Sequence, residues 1–233
     1  LKDVVQNHIL QLLAISLIDD VHHLNDKILR DQKIEILKNI RVEKVVVGQY
    51  KGYRKEKGVS AQSTIETCAA LKVFVNIPRW KGIPIYLLTG KHLQKRLSSV
   101  HIAFKKADST FLGGSDFESN YLTFQIQPNQ GFYLRLNAKD PEHDTVAPVR
   151  MSFCHNCMFP NSPAAYTKLL EEIIEGNMFF FVRSDEVALQ WKIIDRIARK
   201  KKHLYTYTKG TVPQAVHDLI ERDKRSWKLD IEG

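Results

Sequence analysis

The chain has 233 residues, 43% of them hydrophobic, with a net charge of +9. That length holds one large domain or two small ones around a sizeable core, and the positive balance favours anionic partners: nucleic acid, an anionic membrane or phosphorylated metabolites. Three cysteines are too few for a disulfide framework and point to a reducing compartment, and no apolar run is long enough to span a membrane.

The chain opens at Leu1 in mid-helix, without a Met or a signal-peptide pattern, and reads as the start of a fragment. Leu1 to Ile18 is apolar nearly all round, as a buried helix is. Yet Asp3, Asn7, Gln11 and His8 fall within one arc of about 140° on an α-helix, and Gln6 adds another polar group. Buried polar groups are costly unless paired. The strip therefore faces either partner side chains or a cavity holding a polar ligand. His8 is the candidate general base, because an imidazole titrates near neutral pH.

A second helix is predicted from Asn25, its cap, to Ile40. Glu43 to Tyr50 reads as a strand stopped near Gly48, followed by a polar loop from Lys51 to Ser63. Further strands are predicted at Ile65 to Asn76, Ile83 to Leu88, Ser98 to Lys105, Tyr121 to Gln127, Gly131 to Ala138 and Val149 to Phe153. Apolar residues alternate in several of them, as at Val100, Ile102 and Phe104. The connectors are short and turn-rich, and no GxGxxG follows any strand, so the dinucleotide-binding fingerprint is absent.

Helices return at Ser162-Pro163, with Gly176 as a stop. Met178 to Val182 reads as one more strand. Ser184 is read as the cap of a helix to Lys202, with Asp185 and Glu186 in its first turn. Thr211-Val212-Pro213 opens a last helix to Asp223. Blocks of helix (1–40), sheet (43–155) and helix (162–223) imply a single α+β domain over residues 1–233. Its large, mostly antiparallel sheet would have helices packed on one face.

Cys154-His155-Asn156-Cys157 has the look of a metal or redox motif. Zinc would need four ligands, and a thioredoxin-like motif would need a βαβ context. A strand end is the reading retained. The basic run Arg199-Lys200-Lys201-Lys202 suits a solvated helix C-terminus. No basic stripe is interleaved with aromatics, which argues against nucleic acid. Trp80, Trp191 and Trp227 read as packing residues.

The order of residues carries more. KDVVQNHILQ, VVVGQY, STIETCAALKVFV, RWKGIPIYLLTGKHLQKR, QIQPNQG, AAYTKLL, FFFVRSDEVALQW and ERDKRSW resemble, in the right order, the C-terminal domain of glucose-6-phosphate dehydrogenases. The resemblance implies a sugar-phosphate-binding, homodimer-forming β+α domain. In the family it follows a nucleotide-binding Rossmann half that this sequence lacks. It further implies a cytoplasmic enzyme of the pentose phosphate route, oxidising glucose 6-phosphate to the 6-phospho-lactone with NADP.

By the same resemblance His8 is the proton acceptor. Asp3 takes hydrogen bonds from sugar hydroxyls, and Lys91, Arg96 and Gln127 bind substrate. The family's orienting carboxylate for the histidine and its main phosphate clamp lie upstream, so the fragment alone is expected to be inactive. Asp3 is not cast as the orienting carboxylate, since on an α-helix it stands about 140° from His8. Some members hold a second, structural NADP on this domain. Here the matching positions are Leu88, Leu97, His101 and Gln125, with only Tyr133 and Arg135 compatible, so that site is not expected. The rival reading is a noncatalytic dimerisation or regulatory module built on the same fold.

Overall fold

The computed structural model describes residues 2–19, 25–106, 117–143, 145–163, 165–199 and 203–229. They fall into two compact units: Leu1–Lys95 with Ala164–Trp227, and Arg96–Pro163 with Lys228–Gly233.

In the first unit, a π-wound segment, Val4–Ile9, runs into α1, Leu10–Ser16. Helix α2, Asp26–Lys38, is capped by Asn25, whose side chain accepts the Ile28 N–H at 2.8 Å. Strand β1, Ile40–Tyr50, pairs antiparallel with β2, Cys68–Val75, which pairs antiparallel with β3, Ile85–Gly90. β1 starts at Ile40, three residues before the predicted Glu43. Ile40 sits opposite Val75 in the ladder, so the residue expected to end the helix begins the strand. Ala70 of β2 is buried in a cluster with Tyr50, Tyr207, Val216 and Leu219, and the larger core lies on Ala69, Leu71, Val73 and Val75 of the same strand. Val5, Leu10, Leu13, Ile36 and Leu37 from the helices pack into that larger core.

Two elements of this unit depart from expectation. Met178 to Val182 is not a strand: the Phe181 N–H closes a turn on the Met178 carbonyl at 3.1 Å, and Asn177 accepts the Phe179 N–H at 3.0 Å. The backbone is satisfied locally, and Met178, Phe180 and Val182 stand exposed. The missing strand is β8, Leu204–Tyr207, which joins the sheet parallel to β1 with Val47 opposite Leu204.

The helices of this unit that follow the second unit in sequence are α4, Ala165–Ile174, α5, Ser184–Ala198, and α6, Gln214–Glu221. Ser162, the expected cap of α4, lies in the other unit and donates its hydroxyl to the Phe159 carbonyl instead. The N-cap of α5 is Arg183, not Ser184, and its guanidinium reaches both Asp31 and Asp185 at 2.7 Å. Helix α5 ends four residues before the expected Lys202, which lies outside the described residues.

The second unit is a four-stranded antiparallel sheet in chain order: β4, Ser98–Ala103; β5, Tyr121–Gln127; β6, Gly131–Lys139; β7, Val146–Cys154. A short helix, α3, His155–Met158, follows directly. Val100, Phe124, Phe132 and Phe153 align across the ladder, as do Ile102, Leu122, Leu134 and Met151. The opposite face carries His101, Thr123, Tyr133 and Ser152 in one row. Thr123 and Gln125 on that polar face are buried, whereas Phe124, Phe132 and Met151 on the apolar face are exposed. The α+β class with antiparallel sheets is the expected one, with the strands shared between two four-stranded sheets instead of gathered in one.

Candidate active site

The N-terminal helix explains itself from its winding. The Leu10 N–H reaches back five residues to the Val5 carbonyl, the π pattern. A turn closed over five residues stacks positions i and i+5, where an α-turn sets them about 140° apart. Gln6 and Gln11 are five apart, and both meet α5. Gln6 donates to Gln190 at 2.8 Å, and Gln11 donates to Glu186 at 2.5 Å. Glu186 and Gln190 are four apart, one α-helical stripe, so the two spacings match across the interface. Lys33 of α2 completes the cluster with its ammonium 2.8 Å from the same Glu186 oxygen. The carboxylate is fully buried and the lysine nearly so.

Asp3 and His8 are also five apart, but Asp3 precedes the π-wound segment and its carbonyl accepts the Asn7 N–H at 3.0 Å. Asp3, Asn7 and His8 are all exposed, while Gln6, one step round, is buried and paired. The polar strip thus divides: the glutamines lock the helix, and the aspartate and histidine are free to meet a ligand. A rare π segment is frequently found at a functional site.

β3 packs against the π-wound segment, and Lys91 follows the last residue of β3, so Lys91 and His8 come from adjacent elements. Thr89 and Gly90, expected as a turn, belong to the strand. Lys91 is exposed, but its backbone is held on both sides. Its N–H donates to the Thr67 carbonyl at 2.8 Å, and its own carbonyl accepts the Tyr207 hydroxyl at 2.7 Å. Tyr207 Oη also lies 2.9 Å from Thr67 Oγ1. Burial raises the Tyr207 pKa to about 12, which keeps the hydroxyl protonated and able to donate. The next residue, His92, has φ of 51°, a left-handed conformation uncommon for a non-glycine residue. The Gly210 N–H on its carbonyl and the Tyr50 ring edge-on at 4.8 Å hold it there. Tyr207 and Thr67 were not foreseen; Tyr207 lies on the strand that went unrecognised.

Arg96 and Gln127 both belong to the second unit. Ser98, two residues after Arg96, pairs with Gln127 at the end of β5. Both side chains are exposed at that end of the sheet.

Among the described residues no Rossmann arrangement is present. The parallel pair β1 and β8 is not a βαβ unit with a glycine-rich turn, and no strand runs through GxGxxG into a helix. On the second sheet, burial first and then the Lys228 charge depress the His101 pKa to about 4, so it offers no cation to a phosphate at neutral pH. Among the described residues no cluster of His, Cys, Asp or Glu could hold a metal ion, and no helix is long and apolar enough to cross a membrane.

Comparison with known proteins bears on the family and the fold. Glucose-6-phosphate 1-dehydrogenase of Chlamydia muridarum is 34% identical over 253 aligned positions, covering 98% of this chain and 50% of that protein. The Streptococcus pneumoniae protein of the same name is 35% identical, covering 99% of this chain and 52% of its own length. The crystal structure of the Mycobacterium avium glucose-6-phosphate 1-dehydrogenase superposes with a TM-score of 0.82 at 28% identity, over 97% of this chain and 50% of that one. A glucose-6-phosphate dehydrogenase in complex with glucose 6-phosphate gives a TM-score of 0.85 at 25% identity, with the same coverage. The chain therefore spans about half the length of the curated relatives it matches. Residues 1–228 match the pattern of the family described as "Glucose-6-phosphate dehydrogenase, C-terminal domain", and the chain belongs to that family.

Proposed function

We propose that this chain is the sugar-phosphate-binding half of an NADP-dependent glucose-6-phosphate 1-dehydrogenase, oxidising glucose 6-phosphate to 6-phospho-glucono-lactone in the cytoplasm. The observation that carries the reading is the exposure of Asp3 and His8 on a helix whose Gln6 and Gln11 are committed to α5. NADP is the co-substrate that accepts the hydride, held by a nucleotide-binding half outside this chain. His8 takes the proton of the C1 hydroxyl. Asp3 accepts hydrogen bonds from ring hydroxyls and fixes which face of the sugar meets the imidazole. Lys91 binds the substrate, its cation matching the phosphate charge, and the family resemblance extends a substrate-binding role to Arg96 and Gln127 of the second unit.

The reading includes a homodimer formed through the second sheet. Its apolar face leaves Phe124 44% and Met151 51% exposed, and Ile102, Phe132 and Val149 are exposed beside them. A contiguous apolar patch of this kind marks an interaction surface, and a two-fold partner presenting the same patch covers it.

The test is an assay of NADP reduction by the protein expressed together with its upstream coding region. Turnover dependent on glucose 6-phosphate is expected from that protein and none from residues 1–233 alone. A stable dimer with no turnover in the longer protein would favour a noncatalytic dimerisation module.

A further inference from the structure

Cys154 and Cys157 of the second unit are joined by a disulfide between the last residue of β7 and the first turn of α3. Only His155 and Asn156 lie between them, and a cross-link over so short a loop removes little freedom from the unfolded chain. Stabilisation is therefore a weak reason for the bond. Its surroundings suit exchange instead. Cys157 is exposed and Cys154 half-buried, so an external thiol can reach the outer sulfur. The Cys157 N–H donates to Cys154 Sγ at 3.2 Å, and a donor there stabilises the thiolate released at Cys154 when the bond opens. The remaining cysteine is a contrast: Cys68 is buried in the first sheet, and burial pushes its thiol up to about 12, which leaves it protonated and inert.

The frame around the pair does not depend on the bond. The His155 N–H donates to the Gln130 carbonyl at 2.8 Å, and the Phe159 N–H to the His155 carbonyl at 2.8 Å. Phe153 stacks on Phe132 at 5.4 Å. Opposite Cys154 in the ladder is Gly131, where a Cβ would stand 2.2 Å from the Phe153 carbonyl oxygen, so the strands approach closely.

We propose that Cys154 and Cys157 are a reversible dithiol–disulfide couple that exchanges with small-molecule thiols and disulfides of the glutathione class. In the reducing direction an external thiolate attacks Cys157 Sγ. A mixed disulfide forms there, the Cys154–Cys157 bond breaks, and Cys154 leaves as a thiolate. A second external thiolate attacks the external sulfur of the mixed disulfide and releases Cys157. Two external thiols become one disulfide, and the protein gains two electrons and two protons. Oxidation is the reverse.

The intact chain is equilibrated in glutathione buffers of graded composition, quenched in acid, alkylated and read by mass spectrometry, with circular dichroism on each sample. Both thiols should appear together in one transition, approached identically from either side, with Cys68 unmodified and the fold retained. In Cys154→Ser, Cys157 should persist as a mixed disulfide with glutathione, because the resolving thiol is gone. The proposal is overturned if the pair stays dithiol in the most oxidising buffer or the bond survives the most reducing one. It is equally overturned if glutathione adds without the ring closing, or if reduction unfolds the protein, which would make the bond a structural cross-link.

Discussion

The Gln11 side chain donates to the buried Glu186 carboxylate at 2.5 Å, bridging 175 positions of sequence, and Lys33 reaches the same oxygen at 2.8 Å. Removing one member of a buried ion pair leaves the other charge uncompensated. Lys33→Ala should therefore destabilise the first unit by about 3–5 kcal/mol, measured by urea unfolding. Lys33→Met combined with Glu186→Gln should recover most of that loss, since replacing both partners by neutral groups of similar volume removes the stranded charge. If the double variant were as unstable as Lys33→Ala, packing and not charge would hold α1 against α5.

The Tyr207 hydroxyl clamps the Lys91 carbonyl at 2.7 Å beside the left-handed His92. Tyr207→Phe deletes that donor and keeps the ring. One hydrogen bond is worth about 0.5–1.5 kcal/mol net, so in the full-length enzyme KM for glucose 6-phosphate should rise by about three- to tenfold. The value of kcat should change little, because the proposed role of Lys91 is to bind and that of His8 is to transfer the proton. A drop in kcat at unchanged KM would argue against Lys91 as a substrate-binding group positioned by Tyr207.

His101 gives the second unit a pH dependence of definite sign. Burial and the nearby Lys228 lower its pKa from 6.5 to about 4 in the folded state, so the unfolded chain binds more protons between those values. Stability from this group is complete above pH 6.5 and is lost as pH falls through about 4. Urea unfolding of the second sheet should weaken on acidification across that window, and His101→Gln, which cannot take up the proton, should flatten the dependence. An unchanged slope in the variant would remove His101 as the cause.

The exposed apolar face of the second sheet yields a test of assembly. Met151→Glu places a charge at the exposed β7 end of the row Ile102, Leu122, Leu134 and Met151. At an interface that charge would be desolvated without a partner. The variant should run as a monomer by light scattering where the parent is a dimer, with secondary structure intact. A dimer that survives the change would place the interface elsewhere.

The fold was legible where the signal was local. Alternation marked β4 and β5, and Asn25 marked the start of α2, because side-chain period and capping are written in neighbouring residues. β8 was missed because Leu204–Tyr207 is four residues long and becomes a strand only by lying beside β1, more than 150 residues away. Met178 to Val182 failed in the opposite sense: apolar composition without a ladder partner resolves into a turn. At the candidate site the residue types could be read, but the π winding could not. It is set by a match between glutamines five apart and acceptors four apart on α5.

The account rests on His8 as the proton acceptor, and His8→Ala in the full-length protein tests it directly. The side chain is exposed and outside the Glu186 cluster, so thermal stability, dimerisation and the Kd for glucose 6-phosphate should stay close to the parent's. The rate of NADP reduction should fall by at least about 10²–10⁴-fold, the contribution of a positioned general base. Near-normal turnover in that variant would contradict the assignment.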